Sequence, residues 1–360
     1  MRNIFILILT IVLINGCRTE KAPLIIQQDD TRIQYAGRLG QQEAATEMYW
    51  SGSSVKLTFE GNSIAALLQD NTGDNYYNVI IDQDSIAVLR PDTTKRYYTL
   101  AENLDKGPHT LELFKRTEWT RGTSSFYGFR VSGAASKVLE TKKPQRKIEF
   151  YGNSISAGYA VEDYSGKDSP DSTFTNNYLS YTALTARNFA AEYRCICRSG
   201  IGIMISWFPL TMPELYDRLN PNDSLSQWDF SNYTPDIVVV NLFQNDSWIV
   251  NIPEHPQFIE KFGKEKPSEE FIIDAYANFI QTIRKEYPNA HIIAMLGNMD
   301  ITQEESPWPN YVKEAVYRLA DPKMHSLFVP FKDTGGHPSI EEQEILANAL
   351  TAYIKENIDW

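Results

Sequence analysis

The hydrophobic pattern of this 360-residue chain changes near residue 146, and the change points to two unlike domains in series. Before that position, apolar and polar residues alternate in short runs such as Val55 to Glu60, and turn residues separate these runs. Beyond it, apolar runs of strand length alternate with windows of helical period such as Ile272 to Ile283. The first pattern predicts an all-β sandwich over residues 25–136, and the second an α/β domain with a parallel sheet over residues 147–360.

The same runs predict where the elements lie. In the sandwich we expect strands at Val55 to Glu60, Tyr77 to Ile81, Ile86 to Leu89, Tyr97 to Leu100, Thr110 to Lys115 and Phe126 to Val131. In the α/β domain we expect them at Ile148 to Tyr151, Tyr193 to Cys197, Asp236 to Phe243, Ile292 to Leu296 and Leu327 to Phe331. The polar stretch Ser136 to Arg146 is predicted to connect the domains. A capping box of Ser339 and Glu342 predicts the start of the last helix.

The start of the chain predicts export. Arg2 precedes an apolar run, Ile4 to Ile14, that is too short to span a bilayer comfortably and is typical of a signal peptide. The segment Ile14-Asn15-Gly16-Cys17 resembles a bacterial lipobox, which implies removal of residues 1–16 and a lipid on Cys17. The protein would then be anchored in the cell envelope, in the periplasm or at the outer membrane surface. An ordinary signal peptide is the alternative, and it also predicts a place outside the cytoplasm.

Charge and cysteine content exclude several classes of partner. The formal net charge of −12 disfavours nucleic acid and anionic membranes, so we expect membrane contact only through the lipid. Cys195 and Cys197 are two residues apart, which is an awkward spacing for a disulfide. No cluster of Cys and His has the spacing of a zinc site. We expect both cysteines to be buried as small apolar residues, with a free thiol pair as the alternative.

Three short polar segments each follow a run of strand length: Gly152-Asn153-Ser154, Gln244-Asn245-Asp246 and Gly336-His337-Pro338. Sites in open α/β sheets form beyond the carboxyl ends of the strands, so the three segments are expected to meet. Together they offer a serine nucleophile, an amide donor for an oxyanion and a histidine base. The first two segments would also fit a helix cap and an Asx turn, and Asp246 would also fit a loop brace.

His337 is the best candidate for the base because it lies past a strand end and before a helix, between glycines and a proline. The other histidines lie in the β-domain, in a Pro-flanked loop, at the start of a strand and before the last strand: His109, His255, His291 and His325.

In this order the segments resemble the blocks of the SGNH (GDSL-like) hydrolase superfamily. The resemblance implies a three-layer, flavodoxin-like α/β domain and acyl transfer by Ser154 and His337, with no metal or organic cofactor. It also implies an oxyanion hole made by the N–H groups of Ser154 and Gly200 and by the Asn245 amide. Gly202 competes with Gly200 for the position of the glycine block.

The chain from about residue 33 to 350 is similar to carbohydrate esterase family 2. The landmarks are Tyr35-Ala36-Gly37-Arg38, Trp50-Ser51-Gly52, Phe59-Glu60-Gly61, Lys115-Arg116-Thr117-Glu118 and Phe126-Tyr127-Gly128-Phe129. The resemblance implies a jelly-roll β-domain before the hydrolase domain, and removal of acetyl groups from a polysaccharide or oligosaccharide such as xylan or glucomannan. The alternatives are an esterase of bacterial glycans or other acyl esters, and an inactive lipid-anchored glycan-binding protein.

Three positions depart from the superfamily pattern. Asn153 stands where Asp is common, and Phe243 replaces a Gly, which predicts added bulk near the oxyanion hole. The Asp that often lies two or three residues before the His is missing, because Thr334 and Gly335 hold those positions. Asp333 or a backbone carbonyl is left to orient His337, so a dyad and a triad are both open.

Three tryptophans are candidates for a sugar-binding platform: Trp207, Trp248 and Trp308. A flat aromatic ring offers apolar area to a sugar face with little loss of entropy. Packing in the core explains each of them equally well.

Overall fold

The computed structural model describes residues 22–134 and 136–360. The predicted signal peptide (residues 1–16) and the predicted lipid attachment at Cys17 lie outside these residues. Among the described helices, none combines the length and the apolar character that crossing a membrane requires.

The first half of the described chain is all-β. Its strands are β1 (Leu24–Gln27), β2 (Gln34–Ala36), β3 (Leu39–Gln41), β4 (Thr46–Met48), β5 (Ser54–Glu60), β6 (Ser63–Asp70), β7 (Tyr77–Ile81), β8 (Ser85–Leu89), β9 (Arg96–Ala101), β10 (Pro108–Lys115), β11 (Ser124–Ser132) and β12 (Lys137–Leu139). They form two six-stranded antiparallel sheets. One has the order β3-β4-β11-β6-β9 with β1 also on β11, and the other has the order β12-β5-β10-β7-β8 with β2 also on β5.

Both sheets contribute to one hydrophobic core. Val55, Leu57 and Phe59 of β5 are fully buried, whereas the residues between them are only half-buried. This is the period of two that a strand with one face on a core requires. Phe126 and Phe129 of β11 enter the same core from the other sheet. The six strands predicted for this domain are therefore confirmed, each to within two residues at either end.

The stretch predicted as a plain connection contains a strand. β12, within residues 136–146, pairs antiparallel with β5 and ends the second sheet. Lys137–Leu139 therefore still belong to the β-domain, where they pair with β5. The connection between the domains is correspondingly shorter than predicted.

The second half alternates strands and helices. The strands are β13 (Lys147–Gly152), β14 (Glu192–Cys197), β15 (Ile237–Asn241), β16 (His291–Leu296) and β17 (Met324–Phe328). The α-helices are α1 (Ser154–Ala157), α2 (Tyr181–Asn188), α3 (Gln244–Ile249), α4 (Pro256–Phe262), α5 (Glu269–Glu286), α6 (Trp308–Leu319) and α7 (Ile340–Asn357). The last strand begins three residues earlier than predicted, so His325 lies within it and not before it.

All five strands are parallel, in the order β14-β13-β15-β16-β17. This is the 2-1-3-4-5 order of a flavodoxin-like sheet. Residues of α5 and α6 pack on one face, and residues of α2 and α7 pack on the other, which gives three layers. Cys195 and Cys197 are buried and unpaired on β14, as expected. The order reverses at β13 and β15, so a site is expected beyond their carboxyl ends.

A buried ion pair joins the two domains. Arg38, in the loop after β2, donates from Nη2 to Glu149 Oε1 of β13 at 2.9 Å, and both side chains are fully buried. Arg38 also donates to the hydroxyl of Tyr151 at 2.9 Å. The β-domain therefore inserts a charge beside β13 of the other domain.

Candidate active site

The predicted nucleophile lies at the point where β13 ends. Asn153 caps the short helix α1 by accepting from the Ile155 N–H at 3.0 Å, and Ser154 is the first residue of that helix. A side chain at Gly152 would place its Cβ 1.9 Å from the Ser156 hydroxyl, so only glycine lets β13 and α1 approach so closely. Ser154 is 6% exposed, with its hydroxyl at the sheet edge.

The predicted base reaches this serine from the other end of the domain. His337 Nε2 lies 2.8 Å from Ser154 Oγ, within proton-transfer distance. The ring of Tyr159 packs against the imidazole with centroids 4.6 Å apart, which limits its rotation. The structure thus brings together two side chains that are 183 residues apart in the chain.

Asp168 orients this histidine, a role that the sequence left to Asp333 or a backbone carbonyl. Asp168 Oδ2 lies 2.6 Å from His337 Nδ1, and Oδ1 accepts from the His337 backbone N–H at 3.1 Å. Partial burial acts to raise the pKa of Asp168, but the hydrogen bonds and the charge of His337 outweigh it and hold that pKa below 3.8. The carboxylate therefore stays ionised near neutral pH and supports an imidazolium.

The loop that carries Asp168 is tied to the β-domain. Arg121 donates to the Pro170 carbonyl at 2.6 Å, and Arg116 pairs with Glu162 and donates to the Thr173 carbonyl at 3.2 Å. No motif marks Asp168 in the sequence, because it lies among several acidic and polar residues and far from His337. The only feature of the sequence that could have indicated Asp168 is its place in the polar loop that follows the serine segment.

The segment from Arg198 to Trp207, here called the oxyanion loop, contains both candidate glycines, and their N–H groups differ in the structure. Gly200 has φ +83°, a left-handed conformation that favours glycine, and its N–H has no acceptor in the described part of the chain. The Gly202 N–H is occupied, since it donates to the Ser206 hydroxyl at 2.9 Å. Gly200 is therefore the residue with a free N–H to offer an oxyanion.

The Asn245 carboxamide is held at both ends. Its Nδ2 donates to the Ile201 carbonyl at 2.8 Å, and its Oδ1 accepts from Trp207 Nε1 at 3.0 Å. An amide has two N–H donors, so one remains for a ligand. Trp207, predicted as a sugar platform, thus also orients the amide.

Asp246 braces the oxyanion loop. Its carboxylate accepts from the backbone N–H groups of Ile203, Met204 and Ile205 at 2.7 to 3.1 Å. Burial raises the pKa of Asp246 to about 6, although the three donors act in the opposite direction. A carboxylate that accepts from three consecutive amides fixes the path of that backbone.

Phe243 does not fill the oxyanion hole, contrary to the expectation of added bulk there. Its φ of +80° explains why glycine suits this position. The ring turns into the core, where it packs on Tyr276 and Trp308 with centroids 4.8 and 5.1 Å away. Trp308 is only 7% exposed in that cluster, so packing, and not a platform, accounts for it.

The other two tryptophans remain open to ligands. Trp207 is 42% exposed, and its ring makes an edge contact with His255. Trp248 is half-buried and donates from Nε1 to Asp300 at 2.7 Å. A nucleophile, a base with its carboxylate and two free donors therefore share one edge of the sheet with exposed aromatic area.

Several known carbohydrate esterases are similar in sequence to this chain. Residues 35–140 match a family model described as "Carbohydrate esterase 2 N-terminal". The chain is 33% identical over 346 residues to cellulase/esterase CelE of Acetivibrio thermocellus, a match that covers 92% of this chain but only 40% of that protein. It is 24% identical over 347 residues to an acetylxylan esterase / glucomannan deacetylase of Cellvibrio japonicus, covering 93% of this chain and 91% of that one.

A solved structure extends the likeness to the whole fold. A family two carbohydrate esterase from Clostridium thermocellum, in complex with cellohexaose, is 32% identical with a TM-score of 0.78. The match covers 90% of this chain and 98% of that one.

Proposed function

The chain belongs to carbohydrate esterase family 2, and from this premise we propose that it removes O-acetyl groups from a polysaccharide such as acetylated xylan or glucomannan. The observation that carries the proposal is the hydrogen-bonded series Asp168, His337 and Ser154, with distances of 2.6 and 2.8 Å. Such a series activates a hydroxyl for attack on an ester, so the enzyme class is a serine carboxylic ester hydrolase.

Acylation begins when Ser154 Oγ bonds to the acetyl carbonyl carbon and its proton passes to His337 Nε2. The carbonyl oxygen becomes an oxyanion, which accepts from the Gly200 N–H, the Ser154 N–H and the free N–H of Asn245. The bond from this carbon to the sugar oxygen then breaks, and His337 returns the proton to that oxygen. Asp168 stabilises the transient imidazolium.

Deacylation repeats the same steps with water. His337 Nε2 takes a proton from the water as its oxygen bonds to the acyl carbon, and the same donors hold the oxyanion. Collapse of the intermediate breaks the bond between the acyl carbon and Ser154 Oγ, His337 returns the proton to that oxygen, and acetic acid leaves and ionises to acetate.

The proposed glycan surface is aromatic. Trp207 adjoins the oxyanion donors through Asn245 and exposes 42% of its area, and Trp248 follows Asn245 by one turn of helix. A sugar ring stacked there would be placed beside Ser154. The solved relative in complex with cellohexaose supports a β-glucan-like chain as a ligand class.

The same proposal includes the location of the enzyme and the finer architecture. We infer that Cys17 carries a lipid that anchors the exported protein in a bacterial cell envelope, with a jelly-roll domain over residues 25–136 and the hydrolase domain over residues 147–360. Metabolic labelling with an alkyne fatty acid is expected to mark the wild type and not Cys17→Ser.

The esterase assignment is tested with p-nitrophenyl acetate. The Ser154→Ala variant is expected to lose about 10⁴-fold or more in kcat, since the nucleophile is removed. Ser231→Ala, which changes an exposed serine that donates to Asp229, is the matched control and is expected to keep the wild-type rate. Equal rates for wild type and Ser154→Ala would contradict the assignment.

The substrate class is tested by measuring acetate released from a panel of polymers. We expect release from acetylated xylan or acetylated glucomannan to exceed release from acetylated peptidoglycan. Faster cleavage of octanoate than of acetate esters would instead assign another acyl substrate.

A further inference from the structure

A carboxylate of the β-domain lies within the hydrolase domain, next to the oxyanion loop. Glu118 follows β10 and is 6% exposed. Its Oε2 accepts from the Ser199 backbone N–H at 2.6 Å, and its Oε1 accepts from the Ser199 hydroxyl at 2.5 Å. Two bonds from one carboxylate to one residue fix both the position and the orientation of that residue.

The turn that carries Glu118 is itself held by a buried network. The ammonium of Lys115, fully buried, donates to the carbonyls of Thr117 at 2.8 Å and Glu118 at 3.2 Å. The Thr117 hydroxyl donates to Asn75 at 2.7 Å. Burial lowers the pKa of Lys115 to about 7, although the negative charges of Asp70 and Glu118 act to raise it. A network satisfied in this way holds the carboxylate in one place.

The Ser199 backbone determines where the Gly200 N–H points. The peptide plane that carries this N–H begins at the Ser199 Cα, so a shift of Ser199 redirects the donor. Neighbouring parts of the oxyanion loop are held by the hydrolase domain: the Ile201 carbonyl by Asn245, and residues 203–205 by Asp246. In the described chain, Ser199 is the loop residue that the β-domain holds by hydrogen bonds.

We propose that Glu118 is a positioning residue for the oxyanion hole, through which the β-domain aligns the Gly200 N–H with the developing oxyanion. The inference rests on the proposed esterase function. It makes the β-domain part of the catalytic apparatus although none of its side chains need touch the acetyl group.

The test compares Glu118→Gln with Glu112→Gln in the full-length protein. Glu112 is a β-domain carboxylate of β10 that pairs with Lys56 at 3.1 Å and makes no hydrogen bond or ion pair with the described residues of the oxyanion loop. We expect Glu118→Gln to lower kcat on p-nitrophenyl acetate about 10- to 100-fold, with KM within about twofold, because a misdirected donor acts mainly in the transition state. Glu112→Gln is expected to keep both constants.

A double-mutant cycle separates positioning from general stability. Ser199→Ala removes one of the two bonds, so we expect a smaller loss of kcat, of about threefold. If Glu118 acts through Ser199, the double variant is no slower than Glu118→Gln alone. Independent, multiplying losses would overturn the inference.

Two other results would also overturn it. One is a wild-type kcat for Glu118→Gln. The other is a kcat loss that disappears when rates are divided by the folded fraction measured by circular dichroism. An inactive wild type would instead refute the proposed function itself, so the two failures are distinguishable.

Discussion

At the scale of single residues, the orientation of His337 depends on Asp168, whose Oδ2 lies 2.6 Å from its Nδ1. Ser154, Asn245 and His337 each follow a strand, and parallel strands gather their ends at one edge. Asp168 lies in a loop at φ +58° and reaches His337 through tertiary contacts alone. The local sequence pattern around Asp168 does not predict such a contact. The direction of the Phe243 ring depends on packing in the same way.

Replacing Asp168 by asparagine tests its part in catalysis. The asparagine amide would either point its NH2 at the N–H of Nδ1, which is unfavourable, or accept from it with an uncharged oxygen. In both cases the imidazolium loses the electrostatic stabilisation that a carboxylate gives. We expect Asp168→Asn to lower kcat by about 10²- to 10⁴-fold. Asp333→Asn is the matched control and is expected to retain activity. A wild-type kcat for Asp168→Asn would show that His337 needs no carboxylate partner.

The depressed pKa of Asp168 predicts a pH dependence of stability. The folded pKa lies below the ordinary 3.8, so the unfolded chain binds the proton first as the pH falls. The carboxylate therefore stabilises the fold fully above about pH 4, and this contribution is lost as the pH falls through the folded pKa. Urea unfolding of wild type and Asp168→Asn should differ most near neutral pH. A difference that grew towards pH 3 would contradict the sign.

The Trp207 side chain has two proposed tasks that one substitution separates. Trp207→Phe keeps an aromatic ring but removes the Nε1 donor to Asn245. We expect about a tenfold lower kcat on p-nitrophenyl acetate, which has no sugar, because the amide loses its orientation. Trp228→Phe is the control, since its Nε1 has no partner among the described residues. An unchanged kcat in Trp207→Phe would contradict the orienting role and leave sugar binding as the proposed role of Trp207.

At the scale of elements, the sequence predicts strands that have a strong pattern, whereas it misses β6 and misplaces β17. β5 alternates strictly and was predicted correctly. In β6, buried residues lie on both faces of the strand, and two of them are alanines. The alternation of apolar and polar residues that marks a strand is therefore weak in its sequence. β17 is only half-buried along its whole length, and the apolar residues after it drew the prediction three positions too far. β17 is an edge strand, which explains its partial burial, whereas β6 lies inside its sheet between β11 and β9.

The oxyanion loop has no regular structure of its own, so its bracing should be measurable. Asp246→Asn removes the charge and replaces one of the two acceptor oxygens by an NH2 group, which would face the Ile203 N–H. We expect the free energy of unfolding to fall by about 1–3 kcal/mol and kcat to fall with it. Urea unfolding and kcat on p-nitrophenyl acetate measure the two effects. Wild-type values for both would mean that the loop holds its path unaided.

At the scale of the whole molecule, a buried charge pair joins the domains, and its loss should be costly. Arg38→Met leaves Glu149 fully buried with only hydroxyl partners, from Tyr151 and Tyr287, among the described residues. We expect the free energy of unfolding to fall by about 3–5 kcal/mol. Adding Glu149→Gln should recover part of it. Arg32→Met, which breaks an exposed pair with Asp30, should change stability by less than about 1 kcal/mol.

The arginines that fasten the Asp168 loop to the β-domain have a mechanical consequence. The loop carrying this carboxylate is tethered across the domain seam, whereas the base and the nucleophile belong to the other side. Hinge opening at this seam would stretch the hydrogen bond between the carboxylate and the base, so we expect turnover to require a closed seam. We therefore expect a compound that binds in this seam to inhibit the proposed esterase without blocking the reaction of Ser154 with covalent probes.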